Sequence, residues 1–169
     1  MTAMFREETN EDRNPTTTPE FLALLKQGAT LWNQWRQAHP DINPCLNRCD
    51  LRNLDLSHYN FSETDLIGAD LNEANLKQAN FQKADLCKAI LKDADLYKVD
   101  LTGAILCAAN LKGADLSRAN LSGANLTGAN LAQANLSEAN LSGSHLDQVI
   151  LEGAIFHNTT MPDGTVRGD

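Results

Sequence analysis

Leu or Phe stands at every fifth residue from Leu46 to Phe156, 23 consecutive positions, with Phe only at 61, 81 and 156. Two residues before each of them, positions 69 to 139 are Ala apart from Val99. The residue just before is usually Asp or Asn, with Ile90 and Ile105 as interruptions. A period of five suits neither regular element. On a helix, successive Leu would fall about 140° apart and wander round the axis without forming a stripe. On a strand, an odd period sends alternate Leu to opposite faces. The pattern becomes consistent if the chain turns a corner once per repeat, so that each pentad is a short extended piece with its Leu and Ala both inward. Seven of the ten glycines (68, 103, 113, 123, 128, 143 and 153) lie two residues after a Leu. A corner there needs tolerance of unusual φ.

Upstream the period changes. Thr18-Pro19-Glu20 is a helix start, with an N-cap, Pro at the first position and an acid in the first turn. Phe21, Leu24, Leu25, Gly28, Leu31, Trp32 and Trp35 follow at spacings of three and four, and His39-Pro40 ends the run. This predicts one amphipathic helix within residues 19–40, whose apolar face (Phe21, Leu24, Leu25, Leu31, Trp32, Trp35) covers the open N-terminal coil. Cys49, Leu54, Tyr59 and Thr64 replace Ala in that coil, as suits a flared mouth beneath the helix. At the other end, Met161-Pro162-Asp163-Gly164 reads as a turn that stops the repeats, followed by a tail over residues 164–169. So short a tail buries little of the final inward set, Leu146, Leu151, Phe156 and Met161. A weak tail-to-tail homodimer is the expectation.

The tandem A-(D/N)-L-x-x unit, unbroken over about 70% of the chain, resembles the pentapeptide-repeat family. The resemblance implies an all-β solenoid, a right-handed quadrilateral β-helix with four repeats per 20-residue coil. A 20-residue recurrence is also visible in the residues: Phe61 with Phe81, Cys87 with Cys107, Lys92 with Lys112, and Gly103 with Gly123 and Gly143. Residues 44–163 then form about six coils, a rod roughly 29 Å long at about 4.8 Å per coil. Phe61, Leu66, Leu71, Leu76, Phe81, Leu86, Leu116 and Leu121 are the expected heart of its core. A helix followed by repeats is common among cyanobacterial members, so the resemblance also implies a cyanobacterial source.

Composition narrows the function classes. The formal net charge of −8 and pI near 4.9 argue against direct nucleic-acid binding, which needs basic residues to neutralise phosphates. They argue equally against docking on anionic membranes. The first 18 residues are acidic and polar without the apolar core of a signal peptide, and read as a disordered leader on a cytoplasmic protein. His39, His58, His145 and His157 fall on different parts of the rod, and no nucleophile, base and orienting acid converge. No enzyme activity, cofactor or metal is expected. Cys45 and Cys49 point opposite ways across a repeat. Cys87 and Cys107 hold equivalent outward positions on adjacent coils, close enough for a disulfide. They are a candidate redox pair, although a reducing compartment favours two free thiols.

Charge distribution separates two functional readings. Some members of the family resemble B-form DNA in width and charge and bind type II topoisomerases such as gyrase. Residues 44–163 carry 15 acidic and 9 basic residues, but Lys77, Lys83, Lys88, Lys92, Lys98, Lys112 and Arg118 interleave with the acids. Lys98 and Arg118 are expected to flank stacked Asp95 and Asp115, and residues 119–137 carry no charge. A patchy surface favours a scaffold that presents flat polar walls to a protein partner of unknown identity; the gyrase-binding DNA mimic is the alternative. Candidate contact residues are Lys92 and Lys112 in the basic belt, with Ile90, Ile105, Ile150 and Ile155, which break an otherwise polar column.

Overall fold

The computed structural model describes residues 18–168, so the leader expected over residues 1–18 lies outside the described residues except for Thr18, which opens the first helix. Within the repeats, one scheme places all five N–H groups of a pentad. Leu86 N–H donates to Ile105 O (2.7 Å) and Lys88 N–H to Cys107 O (2.9 Å), both one coil ahead. Ile90 N–H donates to Ala69 O (2.9 Å), one coil behind. Ala89 N–H turns back to Leu86 O (3.0 Å), and Cys87 N–H is taken by the Asp85 side chain (2.9 Å). Where an Asp or Asn precedes the Leu, a pentad between two neighbouring coils built this way leaves no orphan donor, the condition for stacking extended backbone without long strands. Parallel bridges pair residues 20 apart from Cys45↔Asp65 to Asn140↔Thr160, so four pentads separate each pair.

The corner falls two residues after each Leu, in the left-handed region. Seven of these positions are Gly, with φ from 65° at Gly68 to 71° at Gly113. The other sixteen are not Gly. Arg48, Lys83, Ala108, Arg118 and Glu138 adopt the same turn at φ 54° to 60°. Side chains there accept a cost of order 1 kcal/mol or more per corner because the ladder on both sides leaves the backbone no other path.

Inside, the Leu and Ala positions of successive coils pile into columns. Leu66, Leu71, Leu76, Leu86, Leu116 and Leu121 are all at most 1% exposed, and so are the Ala from Ala69 to Ala139. Phe61 and Phe81 stack at 5.0 Å between ring centroids. Each such Leu contributes roughly 1.5–3 kcal/mol of gross hydrophobic stabilisation. The interior is filled by side chains.

The N-terminal cover is two helices, α1 (Thr18–Leu25) and α2 (Ala29–Ala38), which corrects the single helix expected over 19–40. Gln27 and Gly28 close α1 with bonds to the carbonyls three residues back, and Gly28 then turns at φ 103° before Trp32 N–H resumes the helical pattern. The break rotates the second apolar face. Phe21, Leu25 and Trp32 are buried and Leu24 and Trp35 half-buried, but Leu31 is 45% exposed and drops out of the cap. At the far end the tail forms a short antiparallel hairpin, β1 (Thr159–Thr160) with β2 (Val166–Arg167). The Arg167 guanidinium lies 4.0 Å over the Phe156 ring. Phe156 is 3% exposed, while Leu146, Leu151 and Met161 stay half-buried.

Candidate interaction surface

The outward Asp/Asn columns owe their composition to a local bond. In pentad after pentad the Oδ1 of this residue accepts the N–H two residues on: Asp70 with Asn72 (3.1 Å), Asn80 with Gln82 (2.9 Å), Asp115 with Ser117 (3.0 Å), Asn130 with Ala132 (3.0 Å). This is an Asx-turn, which Asp and Asn make best and Ser or Thr only more weakly. Sequence reading saw the residue type and missed its task; the constant two-residue offset to an outward N–H was the available signal. Amides also link coils, as from Asn75 to Asp55 (3.0 Å) and Asn140 to Asn120 (3.3 Å). The polar walls are therefore largely occupied with holding the rod.

The four Ile do not share a column. Ile90 and Ile150 stand in one bridge series with Asn110 and Asn130 between them, Ile105 in a second and Ile155 in a third. The sequence expectation of one interrupted column is corrected: a 20-residue coil distributes positions 15 or 45 apart onto different walls. All four are exposed, from 38% at Ile90 to 54% at Ile155. Only Ile150 and Ile155 come from consecutive pentads, beside the half-buried Leu151 at the C-terminal end. Lys92 and Lys112 are exposed, and Lys92 pairs with its neighbour Asp93 (3.1 Å).

The charges cancel locally, though not all as expected. Lys77 meets Asp95 (2.7 Å), Lys83 meets Glu63 (3.6 Å) and Arg52 meets Asp50 (2.7 Å). Arg118 reaches Glu138 (3.0 Å) and the Tyr97 hydroxyl (3.3 Å) instead of flanking Asp115, and the Lys98 ammonium lies over the Tyr97 ring at 5.3 Å. Hydrogen bonds from the Arg52 side chain lower the Asp50 pKa to about 2. For Asp100, burial raises the pKa, but bonds from Thr102 and Gln82 outweigh it and leave the carboxyl below its ordinary value.

Beneath the cap, polar residues finish the ladder of the first coil. Trp32 Nε1–H donates to Asn60 O (2.7 Å), Asn33 Nδ2–H donates to His58 O (2.9 Å), and Asn33 Oδ1 accepts Asn60 N–H (2.8 Å). Buried Arg36 bonds Ile42 O and Ser62 O, and Tyr59 Oη–H donates to Leu25 O (2.8 Å). Burial lowers the Arg36 pKa, with Glu63 opposing. Asn33 and Arg36 escaped the sequence reading because a search for an apolar stripe passes over them. Cys49 is buried and its thiol pushed up, while Cys45 is half-exposed. The structure joins the Cys87 and Cys107 sulfurs across adjacent coils, with Cα atoms 4.7 Å apart. The ladder already holds these positions at bonding range.

Among the described residues no helix is long and apolar enough to cross a membrane. No protein of curated function matches the chain. A pentapeptide-repeat protein (Rfr23) from the cyanobacterium Cyanothece 51142 is 32% identical, with 76% of this chain and 97% of that one covered and a TM-score of 0.56. QnrB1, a plasmid-mediated fluoroquinolone resistance protein, is 21% identical over 68% of this chain and 65% of its own, with a TM-score of 0.49. HetL, a pentapeptide-repeat protein involved in heterocyst differentiation regulation from the cyanobacterium Nostoc sp. strain PCC 7120, is 26% identical over 80% and 98% of the two chains, with a TM-score of 0.19. The family profile described as pentapeptide repeats matches residues 45–82, 69–106 and 134–164 in 8 copies. With the five-residue N–H scheme, the profile match and the match to the Cyanothece protein show that the chain belongs to the pentapeptide-repeat family.

Proposed function

We propose that the protein is a non-enzymatic scaffold, a right-handed four-sided β-helix of about six coils across residues 44–163 that presents its flat walls to a protein partner. The observation that carries this reading is the filled interior. With Leu and Ala at most 1% exposed along the rod from Ala69 to Leu136, every recognisable group lies on the outside. Regular walls with their own hydrogen bonds met suit rigid docking, which loses little conformational entropy on binding. The cyanobacterial relative supports a similar origin. The acidic charge disfavours anionic membranes and nucleic acids as partners.

Cross-linking in the source cell with a photoreactive side chain placed in turn at Ser57, Lys92, Cys45 and Ser122, one per wall, tests the proposal. One wall should yield a single adduct and the others none. Equal labelling of all four walls, or of none, would sink it. The gyrase-binding alternative needs a continuous acidic track, whereas Asp50, Asp95, Glu63 and Glu138 are each paired with a cation. Gyrase supercoiling should therefore be unaffected by micromolar protein, and salt-sensitive inhibition would reverse the ranking. Ile150, Ile155, Leu151 and Met161 support a weak tail-to-tail contact between copies. Light scattering should show the mass rising from 18.5 kDa over a hundredfold concentration range, and Ile155→Lys should abolish the rise.

A further inference from the structure

We infer that Cys87 and Cys107 are a reversible thiol–disulfide site, which exchanges with low-molecular-mass thiols and disulfides and clamps two adjacent coils when oxidised. Three observations converge on it. First, the backbone positions both residues independently of the bond between them. Asp85↔Ile105 is a bridge pair, Gly68 N–H donates to Cys87 O (2.9 Å), and Lys88 N–H donates to Cys107 O (2.9 Å). The 4.7 Å between their Cα atoms is the coil spacing itself, so both oxidation states fit one fold. Second, both residues are half-exposed on an outer wall, within reach of a small reagent, while Cys49 is buried.

Third, the bond falls where the wall lacks its usual tie. In the pentad of Cys87, Asp85 Oδ1 accepts Cys87 N–H at 2.9 Å. In the pentad of Cys107 the equivalent residue is Ile105, whose side chain accepts nothing, so this corner has no Asx-turn. The disulfide anchors that pentad to its neighbour in place of the missing hydrogen bond. Reduction then frees the corner over residues 105–108 without dismantling the ladder. In a reducing compartment, where lasting disulfides are rare, such a pair responds to oxidant.

The chemistry balances with a small disulfide as oxidant. One cysteine thiolate attacks it, forming a mixed disulfide and expelling one small thiol. The second cysteine sulfur attacks the mixed disulfide and expels the other, so two protein thiols lose two protons and two electrons and two small thiols leave. Reduction runs the same steps backwards.

The test uses the full chain carrying Cys45→Ser and Cys49→Ala, in buffers of reduced and oxidised glutathione with alkylation and mass measurement. Two alkylated thiols are expected in reduced buffer and none in oxidised buffer, interconverting with unchanged far-UV circular dichroism. The oxidised form should melt about 5–10 °C higher and exchange the amides of residues 105–108 more slowly. Wild-type protein compared in the same two buffers keeps the test decisive if that background folds poorly. Persistent alkylation at every glutathione ratio would overturn the inference, as would a bond reducible only after unfolding. A melting shift that survives in Cys87→Ser would also overturn it.

Discussion

Asn130 shows what the repeat asks of a single side chain. Its Oδ1 accepts Ala132 N–H at 3.0 Å, and its own N–H and C=O belong to the ladder. Asn130→Ala keeps the ladder and loses the turn bond, so urea unfolding should show a loss of about 1 kcal/mol. Ile105 offers the converse. Ile105→Asn should restore the missing turn at Cys107 and raise stability by about 0.5–1.5 kcal/mol. If both substitutions prove neutral, the Asx side chains do not help to hold the rod together.

At the scale of the element, the cap is a hydrogen-bonded lid as much as an apolar one. The first coil presents His58 O, Asn60 N–H, Asn60 O and Ser62 O, with Ile42 O in the segment leading into it, and α2 meets them with Arg36, Asn33 and Trp32. Arg36→Ala strips two carbonyls of a charged donor in a buried setting. Thermal or urea melts should register a loss of roughly 2–4 kcal/mol. Leu31→Ala, at a position 45% exposed, should cost far less. Removing residues 1–40 uncovers the Phe61–Phe81 stack and a coil edge, so the truncated rod should keep its β-type circular dichroism and aggregate. A soluble monomeric truncation would show that the helices are not a cap.

The whole molecule is acidic, and its acid response follows from the carboxylates. Those of Asp50, Asp55, Asp100 and Asp163 all have lowered pKa values, Asp50 to about 2, through hydrogen bonds made in the folded state. A carboxyl depressed by folding contributes stability that is complete above its unfolded pKa near 4 and lost as pH falls through the folded value. Melting temperature should therefore hold steady between about pH 5 and 7 and fall from about pH 4 towards pH 2. A melting temperature that rises on acidification would mean that repulsion within the net charge of −8 outweighs these bonds.

The Leu column was legible in the sequence because burial leaves an unambiguous mark: one residue in five cannot be polar if the walls are to close over it. The corners were legible too, because seven of 23 are Gly. That the other sixteen would also bear left-handed φ was not, since Lys83 and Glu138 take it under duress from the ladder and show nothing of it in their chemistry. Gly28 read as one more member of an apolar stripe; only packing against the first coil made it the break between α1 and α2. The same division governs the surface. Spacing by five tells inward from outward, but wall membership depends on residues 20 apart, which is why Ile90 and Ile150 share one wall while Ile105 and Ile155 fall on two others. Arg36, Asn33 and the partners of Arg118 were settled by geometry alone. A long polar side chain reaches several neighbours with similar energy, and the tertiary structure chooses among them.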